Sequence, residues 1–258
     1  MIRIGIAGAA GYTAGELIRI LTTHPEAELK YAQSASHNGQ PVWSVHADML
    51  WLPMKFSDID FNDIDLLFLC MGHGHSSEFL ANNNIPQSVR IIDLGNDFRL
   101  KADAGEFVYG LPELNADTVK RAARVANPGC FATSVELALL PLAANGMLPS
   151  EVNVFGITGS TGAGQKPTET THYSNRNDNL SHYKVFTHQH LGEIGETLEK
   201  AGSSTDIAFV PVRGCHSRGI ITDVVLRTAA GYDELNGING VFSGTSPVTF
   251  LIVCELIQ

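Results

Sequence analysis

A chain of 258 residues, 44% of them hydrophobic and 17% charged, has the make-up of a globular protein with room for one large domain or two modest ones. Its formal charge of -10 and pI near 5.4 exclude a broad basic face, so nucleic acid is not an expected partner and contacts to an anionic substrate must be few and local. The four cysteines, Cys70, Cys130, Cys215 and Cys254, show no zinc or disulfide spacing, no apolar run reaches the length of a membrane span, and no signal peptide opens the chain, so a cytoplasmic protein is expected.

Residues 1–7 read as a short strand buried on both faces, and Glu16 to Leu21 as a helix. Between them lies Gly8-Ala9-Ala10-Gly11-Tyr12-Thr13-Ala14-Gly15. A glycine loop between a first strand and a first helix is either an ordinary βα turn or a dinucleotide site, and its place at the chain start favours the dinucleotide. Gly8, Ala10, Gly11, Tyr12 and Thr13 would then set the diphosphate on the helix N-terminus. The second strand, Glu28 to Ala35, ends in Gln33-Ser34-Ala35-Ser36-His37, without the carboxylate that an NAD ribose requires. NADP is the expected cofactor, with Ser34 and Ser36 as donors to its 2′-phosphate and His37 adding charge when protonated.

Asp65 to Met71 and Val89 to Leu94 read as further buried strands, and Cys70 as core. His73 and His75 follow the first of these, but nothing near them completes a metal set, and no metal is expected. Arg99, after the other strand, is a candidate anion contact or a structural partner of Asp97. Tyr109 to Glu113 reads as a turn, Asn115 to Arg124 as a polar helix and Val125-Ala126 as a short strand.

That strand delivers Asn127-Pro128-Gly129-Cys130-Phe131-Ala132-Thr133, the start of an apolar helix running to Ala144. Pro128 and Gly129 stop the strand and put Cys130 at the helix N-terminus. Unpaired first-turn N–H groups and the helix dipole favour a thiolate there, so Cys130 is either a nucleophile or a small core side chain. Past Asn145-Gly146 the texture changes, and Glu151 to Thr158 alternates like a strand of a second sheet. The loop Gly159 to Gly164 has no helical pattern after it and suits a small polar substrate, with Ser160 and Gly162 as pocket residues. A polar run over 168–184 reads as a long loop.

His188-Gln189-His190 precedes Leu191, Ile194 and Leu198 at helical spacing, so His190 stands near a helix start with Glu193 able to face it. Such a pair is either a general base with its carboxylate or a surface histidine pair at a helix cap. Strands at 206–212 and 219–227 bracket Arg213-Gly214-Cys215-His216-Ser217-Arg218-Gly219, the best local anion site in the chain.

Taken together, 8–17 (GAAGYTAGEL), 92–100 (IDLGNDFRL), 109–114 (YGLPEL), 127–133 (NPGCFAT), 188–194 (HQHLGEI) and 209–220 (FVPVRGCHSRGI) resemble the N-acetyl-gamma-glutamyl-phosphate reductase family. The resemblance implies an α/β fold: a Rossmann-type parallel sheet for the cofactor over 1–149, then an α+β catalytic and dimerisation domain of the semialdehyde-dehydrogenase type over 150–258. It implies NADPH-dependent reduction of an acyl phosphate through a thioester on Cys130, in arginine biosynthesis. His190 would be the acid/base group with His188 as the alternative, and Asn127, Arg99, Ser160, Gly162, Arg213 and Arg218 would bind substrate. The family also implies a homo-oligomer, dimeric or tetrameric.

Ala14-Gly15 stands where the family reads Gly-Ala, Val212 stands where many members have histidine, and nothing from Tyr232 on matches the family's return segment to the cofactor domain. A truncated or altered end, closing on the β-prone run Thr249 to Cys254, and a partly uncovered cofactor cleft are therefore expected. The alternatives are a sister reductase of the aspartate or aminoadipate semialdehyde type and a homologue that has lost turnover.

Overall fold

The computed structural model describes residues 1–227 and Ile238. The expectations about the tail and the run Thr249 to Cys254 lie outside the described residues.

The chain forms two compact units, one of Met1–Gly110 with Asp117–Pro128 and one of Leu111–Ala116 with Gly129 onward. The main division thus falls between Pro128 and Gly129, not at the expected residue 149. Helix 130–144 goes with the second unit because its apolar side chains are buried there, among those of the second sheet.

In the first unit six strands form one parallel sheet: β1 (Ile2–Ala7), β2 (Ala27–Gln33), β3 (Leu66–Leu69), β4 (Arg90–Asp93), β5 (Val108–Tyr109) and β6 (Arg124–Ala126), in the order β2-β1-β3-β4-β6-β5. Helix α1 (Tyr12–Leu21) joins β1 to β2, and α2 (Ser76–Asn82) follows β3. β1 has β2 on one side and β3 on the other, so the loops leaving β1 and β3 diverge and open a crevice at their carboxyl ends, where such sheets take ligands. Ile4, Ile6, Ala14, Ile18, Val42, Met49 and Phe56 form one core cluster. Leu67, Leu69, Phe79, Ile91 and Phe107 form another. Strands covered on both faces need continuous apolar residues, which is why β1 and β3 were legible. The expected turn at 109–113 is instead the end of β5 and the start of α3 (Pro112–Arg121), a helix kinked at Asn115.

In the second unit β7 (Glu151–Thr158), β8 (Ser181–His182), β9 (Asp206–Arg213) and β10 (Ile220–Val225) form a mixed sheet, β10-β7-β9-β8, with only β7 and β9 parallel. Helices α4 (Cys130–Ala144) and α6 (His190–Lys200) pack on each other, α4 also against β10 and α6 against β9. Phe131, Val135, Leu139 and Leu142 of α4 meet Ile194 and Leu198 of α6 over Val152, Val154, Phe209 and Val224. Burying each such side chain is worth about 1.5–3 kcal/mol, enough to fix where α4 begins. Two expectations of irregular chain are corrected. Ser160–Ala163 is a turn of 3-10 helix, and the run 168–184 carries a 3-10 turn, the short helix α5 (Tyr173–Arg176) and β8.

Candidate active site

In the first unit the glycine loop begins with Gly8 at φ +79, where a Cβ would stand 2.5 Å from the Cys70 carbonyl oxygen. Only glycine allows the loop to turn that close to β3. The loop is held by Ala9 N–H to Gln33 O (2.7 Å) and Gly11 N–H to Gly8 O (3.2 Å). Helix α1 starts at Tyr12, four residues before the expected Glu16, with Gly11 as its N-cap, no side-chain cap bond and no acidic residue in the first turn. The first turn of α1, from Tyr12 and Thr13, therefore presents an N-terminus fit for a diphosphate, with Ala10 and Gly11 shaping the loop before it.

At the end of β2, Ser36 Oγ lies 2.8 Å and Ser34 Oγ 3.3 Å from His37 Nδ1, with the hydroxyls 3.3 Å apart. Two hydroxyls and an imidazole bonded to one another, with no carboxylate among them, suit a 2′-phosphate. Asp93, wholly buried at the end of β4, accepts from Ser76 Oγ (2.5 Å) and Gly95 N–H (3.0 Å), and burial raises its pKa. Asp97 accepts from the Gly74 and Ser77 N–H groups, tying together the loops that follow β3 and β4. Arg99 is buried and donates to Leu94 O at 3.0 Å. Asn127 Nδ2 donates to Pro128 O at 3.1 Å. Burial, with Asp93 adding to it, pushes the Cys70 thiol up to about 12, which leaves it inert as a nucleophile at neutral pH.

In the second unit Cys130 is exposed at the first residue of α4, while Phe131 beside it is 1% exposed. Phe131 lies against Gly156 of β7, where a Cβ would meet its ring at 2.4 Å, and edge-on to Phe209 and His188. The thiol is thus held at the carboxyl edge of β7 by its anchored neighbour.

His190, at the start of α6, is 4% exposed, and its Nε2 stands 2.4 Å from where a Gly129 Cβ would be. The imidazole covers the backbone of the residue that precedes Cys130. Glu193, equally buried, accepts the Gly129 N–H on Oε2 (2.8 Å) and approaches His190 Nε2 with Oε1 (3.8 Å). One carboxylate therefore holds both the loop before the thiol and the imidazole, as the i,i+3 spacing predicts for the second of these. His188 differs. Its Nδ1 accepts the His190 N–H at 3.2 Å, its ring is walled by Phe131, Tyr183, Phe209 and His190, and burial, with the Lys184 charge, lowers its pKa to about 4.

Sequence reasoning missed Tyr183, which stacks under the Arg213 guanidinium at 4.7 Å and meets His188 edge-on. Burial pushes its pKa up to about 12, with Arg213 opposing and Cys130 adding to the rise. Arg213 also donates to Thr170 Oγ1 at 2.7 Å. Arg176, likewise unforeseen, ties the polar run to β9 by donating to Arg213 O (2.9 Å) and Ser181 Oγ (3.0 Å). A Tyr and an Arg inside a polar run give no periodic signal; only the strand pairing of 181–182 with 212–213 brings them in.

Ser160 N–H donates to His216 O and Thr161 N–H to Ser217 O, so the loop with Ser160 and Gly162 lies on the loop with Arg218. A Cβ at Gly159 would stand 2.6 Å from Ser217 O, which explains the glycine.

Residues 3–122 match the family model for the semialdehyde dehydrogenase NAD-binding domain, and 130–242 that for the semialdehyde dehydrogenase dimerisation domain. The chain is 47% identical over 239 residues to the N-acetyl-gamma-glutamyl-phosphate reductase of Bacteroides thetaiotaomicron, covering 91% of this chain and 74% of that protein. The Christiangramia forsetii protein of the same name is 44% identical over 259 residues, covering 99% and 81%. Among solved structures, aspartate semialdehyde dehydrogenase II of Vibrio cholerae complexed with ASA superposes with a TM-score of 0.68 at 16% identity, over 92% of this chain and 78% of that one. The Candida albicans aspartate semialdehyde dehydrogenase with NADP gives 0.67 at 13%, over 92% and 75%. At those identities the two structures speak for the fold alone, while the reductases settle the family. The chain belongs to the N-acetyl-gamma-glutamyl-phosphate reductase family.

Proposed function

We propose that the chain carries out NADPH-dependent reduction of N-acetyl-gamma-glutamyl phosphate to N-acetylglutamate semialdehyde in arginine biosynthesis, with Cys130 as nucleophile and His190 as acid/base. The observation that carries the assignment of residues is the clamp in which Glu193 holds the Gly129 N–H while His190 lies on Gly129, directly before an exposed Cys130.

His190 takes the thiol proton, and the thiolate attacks the acyl carbon and expels phosphate, leaving a thioester on Cys130. Gly8, Ala10, Gly11, Tyr12 and Thr13 would hold NADPH at its diphosphate and Ser34, Ser36 and His37 at its 2′-phosphate, and the cofactor would supply the hydride. The first N–H groups of α4 stabilise the oxyanion at each stage, at about 3 kcal/mol per donor. That oxyanion expels the sulfur as it becomes the aldehyde, and His190 returns the proton to Cys130. Arg213, braced on Tyr183, and Arg218, with Ser160 and Gly162, bind the substrate's anionic groups. His188 keeps a packing role, because its Nδ1 is committed to a backbone N–H and its ring is pushed to the neutral form.

The match to a dimerisation domain supports a homo-oligomer, dimeric or tetrameric, through the open sheet face bearing Phe155, Ile221 and Val225. Among the described residues no helix is long and apolar enough to cross a membrane; the cytoplasm is the setting this biosynthetic reading implies. Phosphate-dependent NADP reduction with N-acetylglutamate semialdehyde tests the reading. The wild-type chain turns over, and Cys130→Ser falls below about one thousandth of that rate. Comparable rates remove Cys130 from the mechanism, and preference for aspartate semialdehyde replaces the substrate.

A further inference from the structure

Between β2 and β3 the chain makes a compact excursion over 36–57, with 3-10 turns at Val42–Ser44 and Ala47–Met49. His46, between those turns, is 6% exposed. Its Nε2 lies 2.9 Å from the Ala9 carbonyl oxygen, so that nitrogen carries a hydrogen and donates. The ring is pressed against α1, where a Cβ on Gly15 would stand 2.8 Å from both Cε1 and Nδ1. Phe56 stands on the ring at a centroid separation of 6.5 Å.

The geometry points to His46 as a positioning residue for the dinucleotide loop: it fixes the Ala9 carbonyl and the first turn of α1 so that the helix N-terminus is set before the cofactor's diphosphate arrives. This rests on the reading that the glycine loop takes NADP. The loop has need of such a support. Gly11 and Gly8 confer freedom, the helix has no side-chain cap, and no first-turn carboxylate stiffens it. An imidazole that donates to one residue of the loop and packs on another removes that freedom in advance, which lowers the ordering cost of binding. It also accounts for the glycine at position 15. Any side chain at 15 collides with His46, so the two positions are coupled in size.

Binding of NADPH to the purified full chain, followed by nicotinamide fluorescence or calorimetry, tests this alongside kcat and apoprotein melting. His46→Ala should raise the NADPH Kd about tenfold while kcat at saturating NADPH stays within about twofold. His46→Gln, whose amide still reaches Ala9, should recover most of the affinity. Gly15→Ala should weaken NADPH in the wild-type background and do little further harm in His46→Ala, a non-additive pair. His46→Asn, too short to reach Ala9, reads the same bond if the alanine variant does not fold. Unchanged Kd in the folded His46 variants, or a loss confined to melting temperature and kcat, overturns the inference while leaving the cofactor reading intact. A wild-type chain that binds no NADPH overturns both.

Discussion

Gly129 has no side chain because His190 fills the space where one would be, at 2.4 Å from a built Cβ. Its φ of -66 is ordinary, so the need is for closeness and not for backbone freedom. Gly129→Ala should push the imidazole off the loop, break the Glu193 bond to the Gly129 N–H, and lower kcat about a hundredfold with a smaller change in substrate KM. Steady-state kinetics on the folded variant check this, and an unaltered kcat contradicts the placement of His190. At this scale the sequence was only half legible. Cys130 stood out because Pro128-Gly129 punctuates the chain before an apolar helix. Glu193 was expected to face His190, and it does. Its second grip, across 64 residues onto Gly129, has no local signature. His46 on Ala9, 37 residues away, is hidden in the same way.

The elements were legible where burial imposes a period. β1, β7 and α4 match their expected spans closely, since each is committed to one core. Segment 168–184 is not, because its structure comes from pairing with β9 and from side chains bonding locally, as Thr168 does with Thr171. The start of α6 shows what an element can do to a titrating group. His188 is folded into an aromatic wall that lowers its pKa from 6.5 to about 4, first by burial and then by Lys184. Above pH 6.5 it is neutral folded or unfolded and costs nothing; as pH falls towards 4, the unfolded chain takes up a proton that the folded chain refuses. Stability should therefore drain away through that window, by at most about 1.4 kcal/mol per pH unit from this group. His188→Asn, whose Oδ1 stands where Nδ1 was, keeps an acceptor for the His190 N–H and removes the titration. The difference in melting temperature between it and the wild type should narrow steadily from pH 6.5 to 4; a constant difference contradicts the assignment.

For the whole molecule two units were expected, with the boundary elsewhere. A parallel sheet with a glycine loop, then a second sheet, follow from the pattern of strands and glycines; that the thiol goes with the second sheet does not, since residue 130 falls inside the expected first domain. The expected break at 149 fails because α4 opens from the short strand β6 of the first unit, yet buries its side chains with the second sheet. The sequence marks where a helix begins, not which core it joins. The central claim is that Cys130 takes the acyl group from phosphate before any reduction occurs. It is tested most directly by mixing the chain with N-acetyl-gamma-glutamyl phosphate without NADPH and reading intact mass and peptide masses. One N-acetylglutamyl group on the peptide bearing Cys130, released as aldehyde when NADPH is added, is the predicted result. Phosphate release with no adduct, or an adduct on Cys70 or Cys215, would contradict it.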